Sequence, residues 1–233
     1  MSTKCEKCKG SGFVIKKNPE TQEETGYPCA CRLDRDERDL LHRRLVSADI
    51  PPEFWEYTFE NYLSLPISSI LRTDNKPRLE IFKGFLDNPN TFLDRYKVLW
   101  IWGRDTSACH TSLAVIFATE LLRKNHRIKF LSMQRFLDAF TNFDEKSEYF
   151  KALSSANGYI LDDAFDTNRI VAKGEYTIIH LYNWLKDELT KGKYFICTSK
   201  IDVPEIDIKF AQSRNLLLKY SVSIEIKGTV RTT

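Results

Sequence analysis

No apolar run in this sequence approaches the ~20 residues that a membrane-crossing helix needs. The opening "MSTKCEKCKG" lacks the apolar core of a secretory leader. These two absences predict a protein that neither spans a membrane nor is exported, and so a cytoplasmic one. Neither sign of charge dominates: 35 Lys and Arg stand against 32 Asp and Glu, a net charge of +3. That balance neither demands nor excludes nucleic acid. Internal repeats and low-complexity tracts are missing as well. The most consequential scarcity is local. From Gly103 to Thr111 the chain has one glycine and no lysine, between a strand-like and a helix-like stretch where a phosphate-binding loop would need both.

What is present is enough for one medium domain and a small appendage: 233 residues, 42% of them hydrophobic. Residues 1–31 are polar and carry four of the six cysteines. Residues 32–45, "RLDRDERDLLHRRL", mix both charge signs and read as a short exposed helix. The double proline in "ADIPPEFWEYTFENY" (48–62) stops any helix there. Residues 66–95 read as mostly helical, with Ile81, Phe82 and Phe85 on one side. From Tyr96 onward strands and helices alternate. "YKVLWIW" (96–102), "RIKFLSM" (127–133), "GYILDD" (158–163), "KYFICTS" (193–199) and "SVSIEIKG" (221–228) read as strands. "SLAVIFATELLRK" (112–124), "MQRFLDAF" (133–140), "YTIIHLYNWLKDELTKG" (176–192, stopped by Gly192) and "KFAQSRNLLLKY" (209–220) read as helices. The alternation predicts a parallel five-stranded sheet with helices on both faces. The domain reading is 1–47, 48–95 and 96–233: an N-terminal module, a helical lead-in and an α/β domain.

The cysteines fall in two close pairs, Cys5-x2-Cys8 and Cys29-x-Cys31. A protein in a reducing compartment uses such pairs as metal ligands before disulfides. Two pairs on separate loops suit a tetrahedral four-thiolate zinc site, and Gly10 and Gly12 permit a tight turn after the first pair. About thirty residues bury no core alone, so the metal would supply the folding free energy. The C-x-C spacing is tighter than the commoner C-x2-C, and His42 is an alternative ligand. The competing reading is four unpaired surface thiols. Cys109 and Cys197 are expected beside core strands and inert.

A phosphate loop of the form G-x-x-x-x-G-K-[ST] uses backbone amides, a lysine and a hydroxyl. With Thr111 as the hydroxyl, His110 takes the lysine place, Cys109 the second glycine and Arg104 the first, with Gly103 one residue early. The layout is that of a phosphate loop and the residues mostly are not; an ordinary strand-to-helix loop is the alternative. "GYILDD" has the form of a strand that ends in metal-holding and water-polarising acids, Asp162 and Asp163; alternatively these acids cap the next loop. "KYFICTSK" ends in polar residues, Thr198 to Lys200, at the height of a terminal phosphate. Arg214 in "SRNLL" sits on a late helix from which it can reach a neighbouring subunit's nucleotide.

Together these pieces resemble the DnaC/DnaI/IstB group of AAA+ ATPases. "CEKCKGSGFV…GYPCACR" is similar to the cysteine-rich amino end of DnaI-like members, and "LVSADIPPEFWEYTFENY" to the A-x-I-P-x-x-F segment that leads into their ATPase domain. "LWIWGRD…HTSLAVIFATEL" resembles their Walker A strand and helix, "GYILDD" their Walker B, "ICTSK" their sensor strand and "QSRNLL" their arginine-finger helix. The tail "KGTVR" resembles the segment that closes these domains, with Arg231 in the place of a family arginine. The sequence departs from the pattern at the Walker A lysine and glycines, and at Lys200, where asparagine is usual.

The resemblance implies a helicase loader: a partner of a DnaB-type hexameric replicative helicase that helps it onto single-stranded DNA, working as an oligomer on the ring. ATP with Mg²⁺ is the implied cofactor, with Gly103, His110 and Thr111 on the nucleotide and Asp162, Asp163, Lys200 and Arg214 in the catalytic places. The departures predict weak or lost ATP hydrolysis. Residues 1–50 would carry the helicase contact. Arg123, Lys124, Arg127 and Lys129 form a basic group that can touch DNA phosphates or be a solvated helix end; Trp55, Tyr57 and Phe59 are expected to pack rather than to stack on bases. An IstB-like transposition helper and an inhibitory adaptor of the helicase are the alternatives.

Overall fold

The computed structural model describes residues 5–64, 69–104, 109–141, 143–165 and 175–227. The chain divides into two compact units, Met1–Val46 and Ser47–Thr233.

In the first unit, β1 (Phe13–Lys17) and β2 (Glu24–Pro28) form an antiparallel hairpin, with Phe13 opposite Pro28 and Lys17 opposite Glu24. The sequence pattern gives this hairpin only a faint signal, Asn18-Pro19 between two short extended runs. The Asn18 side chain accepts from the Glu20 amide at 2.9 Å, and Gln22 turns back at φ 59° to donate to the Asn18 carbonyl. Helix α1 (Ala30–Ser47) follows and is two residues longer at each end than 32–45. The hairpin is almost wholly exposed, so it buries no core and the unit needs another source of stability.

In the second unit, α2 (Phe59–Ser64), α3 (Ser69–Asp87) and α4 (Pro89–Arg95) precede the sheet. The sheet strands are β3 (Val98–Trp102), β4 (Ile128–Ser132), β5 (Gly158–Asp162), β6 (Tyr194–Ser199) and β7 (Ser221–Glu225). Between them lie α5 (His110–Arg123), α6 (Met133–Thr141), α7 (Phe143–Ser154), α8 (Glu175–Thr190) and α9 (Ala211–Tyr220). All strand pairs are parallel, in the order β4-β5-β6-β3-β7. The three inner strands carry the continuous apolar runs that burial on both faces requires, whereas IKFLS and SVSIE at the edges alternate and are half-buried.

Side-chain alternation along the strands sorts the core into two layers. Trp100, Tyr159, Leu161, Phe195 and Cys197 pack with Leu137 of α6, Leu181 and Leu185 of α8 and Leu217 of α9. On the other face α5 is buried along nearly its whole length, because an outer layer covers it. Phe117 of α5 meets Phe82 of α3 and Phe92 of α4 at centroid distances of 6.1 and 5.3 Å. Phe59 packs tilted against Phe82, and the Trp55 indole donates to the Ile50 carbonyl at 2.8 Å. These lead-in aromatics pack. No helix among the described residues is long and apolar enough to cross a membrane.

Candidate functional site

In the N-terminal unit the chain is folded so that four sulfurs meet. After Cys5 the backbone closes a turn in which the Lys9 amide donates to the Cys5 carbonyl at 2.7 Å and the Ser11 amide to the Cys8 carbonyl at 2.9 Å. Gly10 and Gly12 take φ of 92° and 77°, which a side chain would resist. The hairpin then returns the chain so that the Cys29 amide donates to the Gly12 carbonyl at 2.8 Å, and Cys31 rides on the first turn of α1.

The sulfurs of Cys5, Cys8, Cys29 and Cys31 lie within 4.8 Å of one another, with Cys5–Cys29 at 3.9 Å and Cys8–Cys31 at 3.4 Å. None of the four is in a disulfide, which would bring two sulfurs to about 2 Å. A tetrahedral ion with metal–sulfur bonds near 2.3 Å places sulfurs about 3.8 Å apart, so the donor set fits a metal ion. The electrostatics point the same way. Backbone amides, that of Cys8 first, lower the Cys5 thiol, and the Gly12 amide chiefly brings Cys8 to about 6. Cys31 is pushed up to about 12, chiefly by its sulfur contact with Cys8 and then by that with Cys29. Four thiolates cannot coexist here without a cation among them. The site is all sulfur, and His42 is not among the clustered ligands.

In the second unit the carboxyl ends of the parallel strands gather the other candidates, as open parallel sheets do. Gly103 follows β3, and its amide donates to the Ser199 carbonyl at 3.1 Å. A Cβ there would lie 2.0 Å from the Ile226 carbonyl oxygen and 2.4 Å from His110 Nε2, so glycine is required by crowding. Cys109 precedes α5 in the left-handed region at φ 50°, and burial raises its thiol. His110 is buried, with Nε2–H donating to the Ile226 carbonyl at 3.3 Å. The carbonyl acceptor requires the proton on Nε2.

One helical position on, Thr111 Oγ1 donates to Asp162 Oδ1 at 2.7 Å, and Thr198 Oγ1 of the intervening strand β6 donates to the same oxygen at 2.7 Å. Thr198 also accepts from the Asp163 amide at 3.0 Å, which holds Asp163 at φ 54°. Burial raises the Asp162 carboxyl above the usual range, against the pull of the two hydroxyls. Asp163 and Lys200 are exposed. Arg104 pairs with Glu205 at 2.7 Å, and Arg214 turns Nη1 to the Ile206 carbonyl at 3.3 Å. Arg231 lies outside the described residues.

The structure thus brings Gly103, His110, Thr111, Asp162 and Asp163 to one edge, with Thr198 between them. In the sequence Thr198 is only one of the polar residues that close β6; its partnership with Asp162 depends on β6 lying between β3 and β5. A hydroxyl beside a carboxylate at a helix N-terminus suits a hydrated divalent cation and phosphate oxygens. The cation that would meet those phosphates has no counterpart in the lysine place, where His110 faces the backbone. Of the basic group, Arg123 pairs with Glu120 and Lys129 with Asp49.

The strand order, the helix-covered parallel sheet and this edge define an AAA+-like fold. The fold is of the DnaC and DnaI kind. The DnaI crystal structure is similar at a TM-score of 0.57 and 15% identity, over 78% of this chain and 94% of that one. The DnaC helicase loader is similar at 0.53 and 15%, over 76% and 100%. AMPPCP-bound DnaA from Aquifex aeolicus is similar at 0.58 and 20%, over 76% of this chain, which spans about half of the DnaA chain (50%). Another DnaA structure holds both AMPPCP and single-stranded DNA. No protein-family model and no curated protein matches the sequence.

Proposed function

We propose that this protein is a helicase loader of replication initiation. It binds a DnaB-type hexameric helicase, self-associates on that ring and assists its entry onto single-stranded DNA. The observation that carries this reading is the likeness to DnaI and DnaC, which takes in 94% and 100% of those chains. The DnaA structure with single-stranded DNA supports DNA as a second partner.

In this reading residues 1–47 form a zinc-holding module that makes the helicase contact, 48–95 form the lead-in, and 96–233 form the AAA+ domain. Thr111 and Asp162 would hold Mg²⁺ and Gly103 would approach the nucleotide. Asp163, Lys200 and Arg214 would stand where hydrolysis is carried out. With His110 turned to Ile226, nucleotide is gripped weakly and hydrolysis is weak or lost. The protein then works as a binding chaperone of the ring.

The test is light scattering after gel filtration of the protein with a DnaB-type helicase, with and without ATP. A stable complex formed equally in both conditions is expected. No complex in either condition would overturn the reading and leave DNA binding, as in a transposition helper, to be measured. Where a complex forms, an unwinding assay sets the sign: loading raises DNA-bound helicase, and an inhibitory adaptor lowers it.

A further inference from the structure

The end of β7 is held from three directions within three residues. Glu225 pairs with Arg78 of α3 at 2.7 Å. The Ile226 amide donates to the Trp102 carbonyl at 2.7 Å while the Ile226 carbonyl accepts from His110. Lys227 is gripped twice by one side chain: Asn75 Nδ2 donates to its carbonyl at 2.9 Å, and its amide donates to Asn75 Oδ1 at 3.0 Å. Asn75 is 2% exposed. An amide buried that deeply on a helix is costly unless both its ends are bonded, and both ends are spent on one residue 152 positions away. Gly103 completes the junction, since any side chain there would displace the Ile226 carbonyl or His110.

We propose that His110 and Asn75 form a latch on Ile226–Lys227 that couples the first turn of α5 to the lead-in helix α3 without nucleotide. His110 is a positioning residue in this scheme. Placed where a phosphate loop carries its lysine, it fastens the first turn of α5 to the strand end, and Asn75 fastens that strand end to α3. The junction therefore moves as one body or not at all, and freeing either side chain loosens both flanks. The inference concerns the same loop as the reading above, but its test requires no helicase and no DNA, so the two can fail separately.

Amide hydrogen exchange on the full chain reads the latch directly, because the Ile226 and Lys227 amides have partners on opposite sides of it. His110→Gln keeps an N–H donor at the reach of Nε2, and His110→Met keeps the length without a donor. His110→Met should speed exchange of both amides, and of the segment 75–86, about tenfold, while His110→Gln exchanges as the native chain does. Asn75→Ala should speed Ile226 along with Lys227. Equal behaviour of the Gln and Met variants, in exchange or in failure to fold, overturns the latch. So does an Asn75→Ala effect confined to Lys227. If His110→Met does not fold while His110→Gln folds with native exchange, the donor is what the junction needs and the latch stands.

Discussion

Thr111 donates to Asp162 at 2.7 Å although 51 residues separate them. One residue lies in the first turn of α5 and the other closes β5, and β6 lies between β5 and β3, the strand that precedes α5. Thr198, on β6, donates to the same carboxylate oxygen. Two hydroxyls and a carboxylate thus tie two strand ends and the first turn of α5 together, and this fixes the height of α5 above the sheet edge.

The same arrangement is electrostatically uncomfortable. Burial outweighs both hydroxyls and raises the Asp162 carboxyl above its ordinary value. A carboxyl whose folded pKa exceeds its unfolded one binds more protons in the folded state. Its contribution to stability is present at low pH and is lost as pH rises through the folded value. Asp162→Asn keeps an oxygen for Thr111 and Thr198 and removes the charge. The variant should melt higher than the native chain at pH 7, and a gain of about 1 kcal/mol would move Tm by roughly 2–4 °C. The native loss of stability on going upward from about pH 4 should be absent from the variant. Thermal melts across that range check both statements.

Two glycines separate crowding from chain entropy. Gly103→Ala would drive a Cβ to 2.0 Å from the Ile226 carbonyl oxygen, a backbone atom held by the sheet. A loss of about 1–3 kcal/mol or more is expected. Gly84 lies in α3, and a methyl group added there would meet nothing within 4 Å. Gly84→Ala should stabilise by about 0.5–1 kcal/mol. Opposite signs in urea titrations of the two variants are the expected result.

The periodicity of the sequence carried the α/β domain well. Each of the five strands lies inside the stretch read for it, because inner strands of a parallel sheet must carry a continuous apolar run, and VLWIW, GYIL and YFIC supply one ahead of the polar residues that close β5 and β6. The edge order was not readable, since side-chain pattern says which face is buried and not which strand is next. For that reason the roles of Thr198 and Asn75 emerge only in three dimensions: their partners are fixed by adjacency in the sheet and by a helix far away in sequence. Cys5, Cys8, Cys29 and Cys31 were legible because ligand spacing is local. The hairpin that carries the second pair to the first was not, because both its strands are exposed and lack an apolar alternation.

Metal content tests the cysteine cluster. The purified chain should hold close to one zinc, and Cys5→Ser or Cys29→Ser should release it. Structural zinc in small modules is bound with about 10–16 kcal/mol, so a strong chelator should unfold the hairpin unit while the sheet domain keeps its melting transition. Emission spectrometry and circular dichroism read the two effects. A metal-free chain with an ordered hairpin would refute the site.

A buried charge sits at the opposite end of the sheet. Glu188 of α8 accepts from Tyr159, from Lys191 at 2.7 Å and from Lys193 at 2.6 Å, and is 5% exposed. Burial works against its carboxylate, but the bonds from Lys191, Lys193 and Tyr159 prevail and hold it below the ordinary range. A depressed carboxyl contributes stability above its unfolded pKa and loses it as pH falls through the folded one. Removing it leaves Lys193, whose side chain is only 12% exposed, without its countercharge, and breaking such a pair costs about 3–5 kcal/mol. Glu188→Ala should therefore lower Tm by roughly 6 °C or more at pH 7, and the deficit should shrink as pH falls below about 4, where the native carboxylate is itself being protonated. Glu188→Leu together with Lys193→Met removes both charges and should recover most of the loss. A double variant no better than Glu188→Ala would show that the network holds the α8 terminus by its hydrogen bonds and not by its paired charge.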